Sequence, residues 1–105
     1  MISYKVYSVL YAEAKEYDDL SMYIMERGWQ EWMDGMTADQ ITDLMGKVYR
    51  ISRNGIEGML SVEGMKLTVF CRKYQLPYNT VQKWRSGEST PPEYTLMTLG
   101  WAVIS

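Results

Sequence analysis

Histidine is absent from this 105-residue chain, and cysteine occurs once, at Cys71. Without histidine there is no His-bearing zinc site, no Ser-His-Asp triad and no Cys-His pair. A lone cysteine excludes an intramolecular disulfide. Long apolar runs are missing too, since no stretch approaches the roughly 18 apolar residues that a membrane span needs. The opening MISYKVYSVLYAEAKEY has neither the apolar run nor the small-residue cleavage site of a signal peptide. Carboxylates such as Glu26, Glu31 and Asp34 are spaced as on solvated helix faces, with no nucleophile–base set beside them. These absences lead us to expect a cytoplasmic protein that is not an enzyme, with no catalytic residues, no metal, no cofactor and no membrane attachment.

What the chain does contain is apolar bulk. Hydrophobic residues make up 47% and charged residues 23%, enough to build a core. Four Trp, nine Tyr and nine Met are more than a small interior holds, so a few are expected at an interface. The formal charge of −2 argues against a nucleic-acid binder, but its distribution does not. Residues 1–60 carry six Lys/Arg against ten Asp/Glu, and residues 61–105 five against three. Lys66, Arg72, Lys73, Lys83 and Arg85 fall in one window, Lys66–Arg85, that contains no acid.

Periodicity reads as helix almost throughout, which predicts an all-α fold. Tyr4, Tyr7, Leu10, Tyr11 and Ala14 recur at three- and four-residue spacing, although the opening ISYKVYSV also fits a short strand. Asp18 and Asp19 suit a helix start. Gly28 is placed to end or kink the helix carrying Leu20, Tyr23 and Ile24, and Gly35 to break the apolar stripe beyond it. Thr37 and Gln40 have capping-box spacing, with Asp39 in the first turn. From there Ile41, Leu44, Met45, Val48 and Ile51 trace one face. Asn54-Gly55 is a turn signal, after which Ile56, Met59, Leu60 and Val62 form another packing face. The chain is therefore divided into a helical extension over 1–51 and a domain over 52–105.

The informative stretch is Gly64–Gly87, GMKLTVFCRKYQLPYNTVQKWRSG. Leu67, Phe70, Cys71 and Tyr74 sit at helical spacing, Leu76-Pro77 interrupts, and a second short helix carries Val81 and Trp84 inward before Gly87 ends it. Two short helices joined by a tight turn make the helix-turn-helix plan. Over about residues 52–104 the chain resembles the lambda-repressor/Cro-like family, also called the xenobiotic-response-element type. Gly64-Met65 matches its Gly-hydrophobic pair, Phe70-Cys71 its large-then-small pair, Leu76 its apolar turn residue, and Thr80-Val81, Trp84 and Gly87 its second helix. Cys71 takes the place usually held by Ala. Lys66 stands where the family often has a capping Ser or Thr, and Leu67 where it often has a Gln that contacts phosphate. Pro91-Pro92-Glu93-Tyr94, leading into Leu96, Leu99 and Trp101, is similar to the closing helix of small bacterial and mobile-element members. The resemblance implies a helix-turn-helix DNA-binding domain with a motif core of Phe70, Cys71, Leu76, Val81 and Trp84.

Helical geometry adds a face. At about 100° per residue, Val81, Trp84 and Pro77 mark the buried side, while Asn79, Gln82, Lys83 and Ser86 share an opposite arc, flanked by Tyr78. Such a face meets base edges in a major groove. Asn and Gln pair with adenine and Lys reaches guanine. Tyr78, Asn79, Gln82 and Lys83 are accordingly expected to contact bases. Lys66, Arg72, Lys73, Thr80, Arg85 and Ser86 are expected to contact phosphates. Trp84 and Trp101 read as core rather than as stacking platforms.

The leading expectation is a sequence-specific double-stranded-DNA-binding transcriptional regulator, a repressor of bacterial or phage origin acting as a homodimer on two half-sites. The alternative is a protein-interaction module, such as an antitoxin or a phage-borne inhibitor, with the helix-turn-helix as scaffold or for autoregulation. Residues 1–51 then dimerise or receive a protein partner. Trp29, Trp32, Met33 and Met36 fit either a core or an interface patch.

Overall fold

A computed structural model describes residues 2–105, and every regular element among them is helical. Helix α1 (Tyr4–Ala14) begins where the Ser3 hydroxyl accepts a hydrogen bond from the Val6 N–H at 3.2 Å. Tyr7, Leu10, Tyr11 and Ala14 are buried along one stripe. A strand would have sent Tyr7 and Leu10 to opposite faces. The common apolar face is what selects helix over the strand that ISYKVYSV also allows.

Helix α2 (Leu20–Arg27) is capped by Asp19, whose carboxylate accepts from the Met22 N–H at 2.8 Å, and it ends at Gly28. A single 3-10 turn follows at Glu31–Met33. Helix α3 (Ala38–Asn54) opens with the expected capping box. Thr37 Oγ1 accepts from the Gln40 N–H at 3.1 Å, and Gln40 Oε1 accepts from the Thr37 N–H at 2.9 Å. Helices α4 (Ile56–Glu63), α5 (Leu67–Lys73), α6 (Tyr78–Ser86) and α7 (Glu93–Ile104) complete the chain. No helix among the described residues is long and apolar enough to cross a membrane.

Helix α3 is the hub, packing against α1, α2, α4 and α7. The α3–α4 approach is close because position 58 has no side chain. A Cβ on Gly58 would run into the Arg50 carbonyl oxygen and lie 3.0 Å from the Ile51 Cα. One core then gathers Tyr7, Leu10 and Tyr11 of α1, Val48 and Ile51 of α3, Ile56, Met59 and Leu60 of α4, Leu67, Phe70 and Cys71 of α5, Val81 of α6 and Leu99 of α7. A smaller cluster of Ala14, Tyr23, Met33 and Met45 seats α2 on α3, and the Tyr23 hydroxyl donates to the Leu10 carbonyl at 2.9 Å. Trp101 Nε1 donates to the Ile2 carbonyl at 3.1 Å, tying Ile2 to α7.

The break placed between residues 51 and 52 therefore lies inside α3, and the main core crosses it. The Asn54-Gly55 turn ends a helix without ending a packing unit, because the apolar faces on either side of it close on each other. Among the four residues weighed between core and interface, Met33 is buried, Trp32 and Met36 are half-buried, and Trp29 is 68% exposed.

Candidate nucleic-acid interface

Helices α5 and α6 are linked by a turn at residues 74–77. Gln75 adopts φ +54°, the left-handed conformation that reverses the chain. The Leu76 N–H then donates to the Cys71 carbonyl at 2.8 Å, closing the end of α5. Phe70 and Val81 are fully buried and Cys71 is 4% exposed, and all three belong to the core shared by the two helices. Burial pushes the Cys71 thiol up, which disfavours the thiolate. Leu76 and Trp84 are half-buried against the same core. Pro77 departs from its expected place on the inner side. It is the N-cap of α6, with extended backbone, and is exposed, because the cap lies outside the helical turn.

Helix α6 turns its polar arc to solvent. Asn79, Thr80, Gln82, Lys83, Arg85 and Ser86 are exposed, and Tyr78 is 43% exposed at the start of the helix. Among the described residues, the side chains of Asn79, Gln82 and Lys83 make no hydrogen bond or ion pair with the rest of the chain. Ser86 is engaged locally, since its hydroxyl donates to the Lys83 carbonyl at 3.2 Å and accepts from the Glu88 N–H at 3.4 Å. The helix itself carries no acid.

The cations around this arc are not equally free. Arg85 is bound by Glu57 of α4, and Lys73 by Glu63 of α4 at 3.0 Å. Tyr74 also donates to the Glu63 carboxylate. Burial alone would push Glu63 up, but the hydrogen bonds from Tyr74 and Lys73 outweigh it and hold the carboxyl below its ordinary value. Lys66, exposed at the N-cap of α5, and Arg72, exposed in its last turn, have no acidic partner among the described residues. Glu57, Lys66, Tyr78 and Arg85 line a groove of about 680 Å³ at the meeting of α4, α5 and α6.

Thus Tyr78, Asn79, Gln82 and Lys83 stand together on α6 with Thr80 beside them, and Lys66 lines the same groove as Tyr78. Arg85, on α6 itself, and Lys73, at the end of α5, have charges already shared with α4. Sequence reasoning missed Glu57 and Glu63 as neighbours of the cations. They lie 28 and 10 residues from Arg85 and Lys73, and no local spacing signals those pairs. Comparison with known protein families, curated proteins and solved structures finds no match for this chain.

Proposed function

We propose that the chain is a sequence-specific double-stranded-DNA-binding regulator that lays α6 in the major groove and represses by occupying its operator. The observation that supports this most is the outward arc of α6. Three side chains able to read base edges, Asn79, Gln82 and Lys83, are exposed with no partner among the described residues. The opposite side of the helix is anchored by Val81. A side chain already satisfied by its own protein would have to break that bond before reading a base, and these three do not. The helix order and the resemblance of residues 52–104 to lambda-repressor/Cro-like proteins add to the reading.

In this docking Tyr78, Asn79, Gln82 and Lys83 meet the bases. Lys66, Arg72 and Thr80 meet phosphates, and they set affinity and position rather than sequence preference. Two copies on two half-sites complete the proposal.

The test is selection of bound sequences from a random duplex pool by the full chain. Truncation at residue 52 is not an option, because it removes Tyr7, Leu10, Tyr11, Val48 and Ile51 from the core. A single enriched motif is the expected result. A pool that stays unenriched at every salt concentration up to physiological would exclude sequence-specific binding.

A further inference from the structure

The face of α2 away from α3 is used neither by the core nor by α6. With Tyr23, Leu20 and Arg27 turned inward, Met22 and Met25 point out, 45% and 75% exposed. Trp29, two residues past the helix end, is 68% exposed. Met22 and Met25, three residues apart, are neighbours on one exposed helix face, and large apolar side chains exposed together mark an interaction surface. A separate observation concerns charge. From Glu16 to Gly46 the chain carries eight Asp/Glu and one base, Arg27, whose guanidinium is bound to Glu13. All eight acids are exposed, and among the described residues only Asp43 has a basic partner, Lys47 at 3.0 Å.

We infer that the Met22–Met25–Trp29 surface docks a cationic amphipathic helix from a partner protein. The apolar side of such a helix lies on the two methionines and the indole. Methionine suits this role because its unbranched, polarisable side chain adapts to the shape it meets. The lysines or arginines along the edges of the helix meet Glu26 and the other unpaired carboxylates, which choose the partner by charge. A second copy of this chain docked by a two-fold axis would set the same acids against each other, which disfavours it. The surface is distinct from α6, so this inference stands apart from DNA binding.

The test is calorimetric titration of the full chain with a synthetic helical peptide of about five turns, with leucines on one side and lysines on the other. A scrambled peptide of the same composition serves as control. The expected result is one-to-one binding in the micromolar range, weakened about tenfold or more by Met25→Lys, by Glu26→Lys and by scrambling. Both substituted positions are exposed, and an unchanged far-ultraviolet circular dichroism spectrum checks the fold of each variant. Equal binding of the scrambled peptide would show charge attraction without a docking surface and overturn the inference. Indifference to Met25→Lys would overturn it as well. So would a dimer of the unliganded chain that Met25→Lys dissolves, because the occupant would then be a second copy.

Discussion

Glu57 on α4 binds the guanidinium of Arg85 on α6, and so places a carboxylate beside the helix proposed to enter DNA. Both side chains are about half exposed, so the pair is screened and weak. Its effect on a polyanion is larger than its effect on stability, because Glu57 both occupies Arg85 and repels phosphate. Glu57→Gln should therefore tighten binding to every duplex by up to about fivefold at low salt, the scale of an exposed ion pair. It should leave the preferred sequence unchanged. Fluorescence anisotropy with specific and random duplexes measures both.

Base-reading and phosphate-holding side chains should separate by mutation. Asn79→Ala and Gln82→Ala should each cost about 1–3 kcal/mol on the selected operator and little on random duplex. Arg72→Ala should weaken all sequences alike and lower the slope of binding against salt by about one. Lys73→Ala should do the same to a smaller extent, because Glu63 already shares its charge. Titrations at several salt concentrations distinguish these outcomes.

Much of the fold is written locally. The Thr37–Gln40 box, the Asp19 cap and the tyrosine stripe of α1 each involve residues within a turn or two of one another, and each is found as the spacing implies. The exposed arc of α6 follows from the same arithmetic, with Val81 fixing the inner side. What the spacing does not contain is the setting of α4 against α5 and α6, on which the Glu57 and Glu63 pairs depend. Nor does the spacing show that Trp29, Trp32 and Met33 part company. Extended backbone at Gln30 and a 3-10 turn replace α-helical geometry there, so Trp29 faces out while Met33 faces in. The Asn54-Gly55 signal is real as a turn and says nothing of the core that spans it.

Tyr7 and Gly100 provide a stability test. The Tyr7 hydroxyl is buried without a hydrogen-bond partner among the described residues, against Gly100 on α7. Tyr7→Phe keeps the ring and removes the unsatisfied group, so it should stabilise by about 1 kcal/mol. Gly100→Ala drives a methyl onto that hydroxyl, with Ile51 Cγ2 only 3.0 Å from the new atom, and should destabilise by about 1–3 kcal/mol. The double variant should recover part of the loss, a coupling readable from denaturant midpoints.

Acid should loosen the attachment of α5 to α4. The Glu63 carboxyl titrates below its ordinary value in the folded chain, held there by Tyr74 and Lys73 against the opposing effect of burial. A depressed folded value means that this contribution is complete above the unfolded value of about 4.5 and is lost as pH falls through the folded one. Stability should thus decline below about pH 4.5, and Glu63→Gln should flatten that decline while lowering stability at pH 7. Urea unfolding of both proteins across the acid range checks the sign.

The placement of α6 in a duplex is best examined by nuclear magnetic resonance of the isotope-labelled full chain titrated with its selected operator. The largest amide shifts should fall on Tyr78–Ser86 and the start of α5, with side-chain amide shifts at Asn79 and Gln82. Shifts confined to α2 and Trp29, or spread evenly over exposed lysines and arginines, would contradict that placement.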